Sequence, residues 1–354
     1  MKNILVILWI TIFIHSCRTT ESREWHCDFT ADDFERIEMT VNDDGNVLDF
    51  TEELFGKPSL LTMLDNNCIA VKDRGNDKMV WLINLDNEEA KSFVSRGVGP
   101  EELLDLTTMS YHNGILSLAG LNDSKVLDFK VDYDSLNLTL SNLLVLPYSC
   151  PFRSMHLNDS VIFSLGTSFT GDRYHIYNMV DSAYETFRSF PLDSAYIGMS
   201  PDNSFFQADV DINRNKNKIV MTNRYWGIIE FIDGNSGKCT RLYGPIKTEA
   251  KVVKKTRGDS YSFRQEPRWS IWDEVYAGQD KIYIGYNGNC EKSKEDSFGE
   301  VKEIYTMSYD GKPDRIYSFD EAIVGFTIDE KNGFIYIIHE LPERVLVRYP
   351  LKSK

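Results

Sequence analysis

Ser95-Arg96-Gly97-Val98-Gly99-Pro100-Glu101-Glu102 is a break between two apolar runs more polar than a turn requires, and it sets a guanidinium beside paired carboxylates. Arg96, Glu101 and Glu102 are therefore candidate binding residues, able to hold a charged group or one another across a turn built from two glycines and a proline. Farther along, Trp269, Trp272, Tyr276, Tyr283 and Tyr286 crowd one segment around Asp273, with Arg224 upstream. Rings beside a cation and an anion can line a sugar or peptide site, which adds Arg224, Asp273 and Tyr286 to the candidates. Aromatics at strand spacing also pack sheet on sheet, and that is the expected role of most of this cluster.

Asp209-Val210-Asp211-Ile212-Asn213 opens like a calcium loop, yet Arg214 stands where glycine is needed and Val220 where the closing carboxylate belongs. Its alternation describes a strand with one polar face instead. His112, His156, His175 and His339 are dispersed, and no His-Glu-x-x-His, Gly-x-Ser-x-Gly or Gly-rich phosphate loop occurs. Catalytic residues remain unknown at this level, and neither a metal nor a cofactor is expected. Cys27, Cys68, Cys150, Cys239 and Cys290 are scattered without a Cys-x-x-Cys pair, which argues against a zinc site or a dense disulfide scaffold. Asp-Ser-apolar triplets such as Asp134-Ser135-Leu136 resemble the acceptor of a bacterial periplasmic O-glycosylation system, although turns entering strands are the favoured reading.

The elements that must position these residues are strands. From about residue 59 a pattern of short alternating runs separated by Asn/Asp/Gly turns recurs at roughly forty-residue spacing, the period of propeller blades. Six copies can be counted, and the last, from Ala322 to Tyr349, has three strands. A fourth has to come from elsewhere, and Phe34–Val41 is the expected donor, pairing with the last blade so that no sheet edge stays open. The expected fold is all-β: a six-bladed β-propeller of four-stranded antiparallel blades, closed by an N-terminal strand, occupying 34–354 as a single domain. Lys247–Gln265 interrupts the rhythm, crowded by Lys251, Lys254, Lys255, Arg257 and Arg264, consistent with a solvated loop or a lid over one channel mouth.

The 354 residues carry a formal charge of −15, which disfavours nucleic acid and anionic lipid as partners. Met1-Lys2-Asn3 followed by an apolar run to Ile14 has the build of a secretory signal, too short for a comfortable membrane span. Its end, Ile14-His15-Ser16-Cys17, resembles the lipobox of bacterial lipoproteins. The resemblance implies a signal peptide over 1–16, lipidation of Cys17, and a lipid-attached tether over 17–33.

Two stretches carry a wider resemblance. Arg96-Gly97-Val98-Gly99-Pro100-Glu101 and Lys281-Ile282-Tyr283-Ile284-Gly285-Tyr286-Asn287-Gly288 are similar to recurring text of the TolB-like six-bladed propeller family, secreted or lipid-anchored bacterial proteins. That likeness implies the fold and an address in the bacterial cell envelope, periplasmic or surface-facing. The functional expectation is a monomeric, non-catalytic binding or scaffold module for an envelope protein, peptide or glycan. Its rival is a channel-centred metal-dependent hydrolase or lyase. Replacing Cys17 with alanine is expected to move the full-length protein from the membrane to the soluble fraction; a Cys17→Ala protein that still sediments with membranes removes the lipid anchor from the account.

Overall fold

Strand after strand returns antiparallel on its predecessor. The computed structural model describes residues 27–48, 56–121, 123–148, 152–166, 173–187, 207–246, 269–290 and 300–352, with the backbone of 251–257 and 260–266. The first strands are β1 (Glu35–Met39) and β2 (Asn46–Val47), followed by a four-stranded sheet of β3 (Pro58–Met63), β4 (Cys68–Asp73), β5 (Lys78–Asn84) and β6 (Ala90–Ser95). The next sheet contains β7 (Thr108–His112), β8 (Ile115–Ala119), β9 (Lys125–Asp132) and β10 (Asn137–Val145). A third holds β11 (Arg153–Asn158), β12 (Val161–Leu165), β13 (Tyr174–Asn178) and β14 (Ala183–Phe187), and a fourth β15 (Ala208–Asn213), β16 (Lys218–Asn223), β17 (Ile228–Asp233) and β18 (Cys239–Tyr243).

Lys251–Arg257 (β19) and Ser260–Glu266 (β20) pair as a two-stranded hairpin. This corrects the expectation of a loop there: Val252, Val253, Tyr261 and Phe263 are residue types that favour strand. The remaining strands, β21 (Trp269–Ala277), β22 (Lys281–Cys290), β23 (Val301–Ser308), β24 (Pro313–Asp329), β25 (Phe334–Glu340) and β26 (Arg344–Pro350), form one larger sheet. The 17-residue β24 joins it, because Pro313–Ser318 pairs with β23 while Ile323–Asp329 pairs with β25.

The N-terminal segment departs from expectation in two ways. Glu35–Met39 does not pair with the last strand; β1 lies parallel to Arg315–Phe319 of β24, and the strand added to β26 is Asn46–Val47. The chain is also docked before Phe34. Asp28 exchanges hydrogen bonds with Tyr243 through its amide (2.6 Å) and its carboxylate (2.8 Å), and Phe29, 3% exposed, packs on Phe34 and Trp272. The apolar Phe29 ring gains more from burial than a solvated tether would. Cys17 and the signal segment lie outside the described residues.

The core lies between sheets rather than within any one. Leu64, Cys68, Ala70 and Val80 of the first sheet meet Met109, Leu116 and Leu118 of the second, and Leu61, Ile69 and Val71 on the opposite face meet Tyr336, Ile338 and Leu346. Alternation sends successive residues of one strand to different neighbours, so strands buried on both faces read as continuous apolar runs.

One buried cluster breaks the apolar pattern. Glu230, fully buried, accepts hydrogen bonds from Arg173 (2.7 Å), from Arg241 (2.8 Å) and from the Asn223 amide (3.1 Å). Burial pushes its carboxyl up, but the two guanidiniums outweigh this and hold it below the usual carboxylate range. Replacing Glu230 with alanine removes the acceptor that Arg173 and Arg241 share at the junction of the third and fourth sheets. The expected cost is about 3–5 kcal/mol in urea unfolding; a loss under about 1 kcal/mol shows the triad to be dispensable.

Candidate functional site

The first strand of each four-stranded sheet faces a common axis, as do β21 and the second half of β24 from the larger sheet. Residues of β3, β7, β11, β15, β21 and the second half of β24 line one cavity of about 410 Å³. Each repeat starts at the axis and works outward, so these inner strands all run the same way and begin at the same mouth, here called the upper mouth.

A strand on the inner edge leaves backbone groups without ladder partners, and the chain answers this side chain by side chain. The Thr62 hydroxyl on β3 donates to the Met109 carbonyl on β7 (3.2 Å), and the Ser154 amide on β11 donates to the Thr108 hydroxyl on β7 (3.3 Å). Arg153 on β11 forms an ion pair with Asp209 on β15. Asp211 accepts from the Ala277 amide on β21 (2.7 Å), and Glu274 accepts from the Phe326 amide on β24 (2.8 Å). Thr327 accepts from the Met63 amide on β3 (3.3 Å), which brings the circuit back to its start. Gly325 belongs to the same seam: a Cβ there would lie 2.6 Å from the Ser59 carbonyl oxygen, so only glycine lets β24 come this close to β3.

A β-bulge helps deliver the carboxylates. Trp272 pairs with Tyr286 and Val275 with Ile284, so Asp273 and Glu274 together face the single residue Gly285. That extra residue lets Glu274 enter the cavity wall while Asp273 meets Arg224, which donates to both its oxygens at 2.7 and 2.9 Å. Burial raises the Glu274 carboxyl well above its ordinary value and raises Asp211 too, so both favour the protonated form more than a solvated acid would. Asp273 is also raised, by burial and by the neighbouring Asp209 charge against the pull of Arg224. Asp209 stays below the usual range because Arg153 and Arg224 outweigh its burial. Asp209 and Asp211 are thus the polar face read from the alternation.

The sequence candidates separate in space. Arg224 and Asp273 form a half-buried ion pair beside the upper mouth. Tyr286 is elsewhere: its ring packs on Trp272 (5.2 Å) and Tyr305 (4.7 Å), inside the aromatic core of the larger sheet. Arg96 is exposed and donates to the Leu104 carbonyl (2.9 Å) rather than to Glu101 or Glu102. Glu102 accepts from the Gly99 amide (2.9 Å), and Glu101 is exposed. The glycines of that loop serve close approach, not left-handed backbone: a Cβ on Gly97 would collide with the Glu102 carboxylate, while the positive φ, 59°, belongs to Val94. Among the described residues, no three His, Cys, Asp or Glu side chains are placed to hold a metal ion together. No helix among the described residues is long and apolar enough to cross a membrane.

Sequence reasoning passed over Lys72. It is 8% exposed on β4, opposite Leu60 and Val80, and no hydrogen bond or ion pair from the described residues reaches its amine. Burial pushes it down to about 7, helped by the positive charges of Arg74, Arg153 and Arg96, with Asp105 opposing. The available signal was a lysine in the otherwise apolar run Cys68-Ile69-Ala70-Val71.

Antiparallel sheets standing around an axial cavity define a β-propeller. The chain belongs to the TolB-like 6-blade propeller-like family, whose model matches residues 43–331. Among solved structures, a putative exported protein from Bacteroides fragilis NCTC 9343 aligns with TM-score 0.55 and 10% identity, over 91% of this chain and 100% of that one. A DUF4221 family member from Bacteroides vulgatus ATCC 8482 gives 0.51 and 10%, over 88% and 96%. A streptogramin B lyase gives 0.50 and 14%, over 87% and 98%. At these identities the likeness is one of fold. No curated protein sequence matches the chain.

Because the folded state withholds a proton from Lys72 that the unfolded chain accepts, its burial costs stability below its ordinary value near 10.5. The cost grows as pH falls from there to about 7 and is constant below. Lys72→Met is therefore expected to unfold later than the parent by on the order of 3 kcal/mol at pH 6, with the gap closing towards pH 10. A gap that is absent, or that does not change with pH, contradicts an unpaired buried amine.

Proposed function

We propose that this protein is a cell-envelope lipoprotein, anchored through Cys17, whose propeller is a non-catalytic binding module for a protein, peptide or glycan at its upper mouth. We further infer six blades: the larger sheet counts as two, dividing within β24, and Asn46–Val47 supplies the outer strand of the last. The observation that carries the binding reading is the circuit of the inner strands. Asp211, Glu274 and Glu330, the cavity carboxyls with raised pKa, each accept a hydrogen bond from a backbone amide of a neighbouring segment, and Asp209 and Asp273 are matched to arginines. Groups committed to holding blades together make a rigid, charged rim suited to recognition. The exported protein from Bacteroides fragilis supports an envelope address by its fold, and the family match supports a propeller scaffold.

The Arg224–Asp273 pair is a partly exposed rim element within reach of a partner. Full-length protein displayed on peptide and glycan arrays is expected to retain a ligand unchanged in mass, and Arg224→Met is expected to weaken that retention at least tenfold with the circular dichroism spectrum preserved. Conversion of the ligand to product, or retention indifferent to Arg224, overturns this function.

A further inference from the structure

The upper mouth collects cations from successive connections. Lys72 is the penultimate residue of β4, which runs antiparallel to β3 and so ends where β3 begins. Arg74 follows directly, Arg96 follows β6, and Arg153 begins β11, all at the same end of the fold. Arg153 lines the cavity, and its pairing with Asp209 uses one terminal nitrogen; no described residue accepts from the others. The partners of Lys72 across the ladder are apolar, Leu60 on β3 and Val80 on β5. An acidic group that opposes these positive charges at its amine is Asp105, whose carboxylate accepts from the Leu121 amide (2.8 Å).

Lys72, 8% exposed and with no bond to its amine from the described residues, stands opposite Leu60, which lines the cavity together with Arg153; the amine and the spare guanidinium donors are thus offered at one mouth to an acceptor that could use both. We propose that Lys72 and Arg153 form the binding site for a compact oxyanion, the carboxylate or sulfate-like group of the ligand held at the upper mouth. This rests on the binding reading above and names the ligand's chemistry. The planar fork of Arg153 suits two oxygens of such a group, and Lys72 supplies a point charge alongside. Arg74 and Arg96, both exposed, add long-range attraction within a protein that is otherwise acidic.

The pH dependence follows from the groups that face the amine, namely Arg74, Arg96 and Arg153 against Asp105. In the free protein Lys72 holds its proton below about 7 and loses it above. An anion favours the ammonium, so the bound state keeps the proton to higher pH. Affinity is therefore greatest below about 7 and falls by up to tenfold per pH unit above it, with one proton taken up on binding.

Sulfate and acetate, whose charges are constant between pH 6 and 8.5, are the probes. Calorimetric titration of the full chain is expected to give saturable binding of at least one probe at pH 6, at least tenfold weaker at pH 8.5. At the higher pH, buffers of different ionisation heat should report proton uptake. Lys72→Met, which should fold at least as stably as the parent, is expected to lose this binding and its pH dependence; Arg153→Met should weaken it and leave the Lys72 proton uptake in place. Binding of neither probe, equal affinity at the two pH values, or a Lys72→Met protein that binds like the parent overturns the proposal. If the probes bind through Lys72 but the arrays retain nothing, the anion site stands and the partner-binding function falls; retention of a ligand indifferent to Lys72 has the opposite meaning.

Discussion

Every inner strand of this fold has an edge that no further strand covers. Its amides and carbonyls face a cavity of about 410 Å³ rather than another ladder, and each one left unsatisfied would cost on the order of 1–3 kcal/mol. The chain meets that demand by having side chains on one inner strand bond the backbone or side chains of the next. Threonines do so between β3 and β7 and between β24 and β3, a carboxyl does so from β15 to β21 and another from β21 to β24. Ion pairing of Arg153 with Asp209 serves the junction of β11 and β15. Relative blade position is thus fixed near the axis by directional bonds, while the apolar faces farther out supply most of the non-directional burial.

This requirement accounts for the polarity of the cavity without appeal to catalysis. A carboxyl aimed at a neighbouring amide must sit close to the axis, where burial raises it, as for Asp211 and Glu274. Perturbed titration is a common mark of an active site, and structural networks produce it too. Here the same oxygens that are perturbed are the ones bonded to Ala277 and Phe326. Lys72 differs, since its perturbation comes with no bond from the described residues.

Much of the architecture is legible because it is local. Period-two alternation and Asn/Asp/Gly turns mark hairpins regardless of what packs on them, so the repeats and the polar face of Asp209 and Asp211 can be read directly. What is lost depends on which distant elements meet. Glu35–Met39 alternates like any strand, and nothing in it specifies a parallel partner at Arg315–Phe319 instead of a place beside β26. Tyr286 looks like a site residue because its packing against Trp272 and Tyr305 is invisible in one dimension, and Trp272 faces it only because of the bulge. Arg173 and Glu230 are 57 residues apart, and neither is unusual until the third and fourth sheets bring them together. In the Arg96 loop, two glycines suggest left-handed turns, whereas their role is to make room for the Glu102 carboxylate.

The contrast between Glu230 and Lys72 sharpens what a buried charge signifies here. Both lie among apolar strands, and burial opposes the charged form of each. Glu230 is surrounded by Arg173, Arg241 and Asn223, so folding itself supplies its partners and the charge is retained. Lys72 is given mostly like charges, with Asp105 opposing, and apolar ladder partners; the described residues supply no bond to it, and the amine is pushed down to about 7. A site that is costly to the free fold is one where a ligand of the right sign recovers what folding gave up, because its binding restores the proton and neutralises the cluster together. In a chain of net charge −15, such a cationic pocket would be screened from anionic surfaces at long range and selective at short range, which favours a small anionic group on an otherwise neutral ligand over a polyanion.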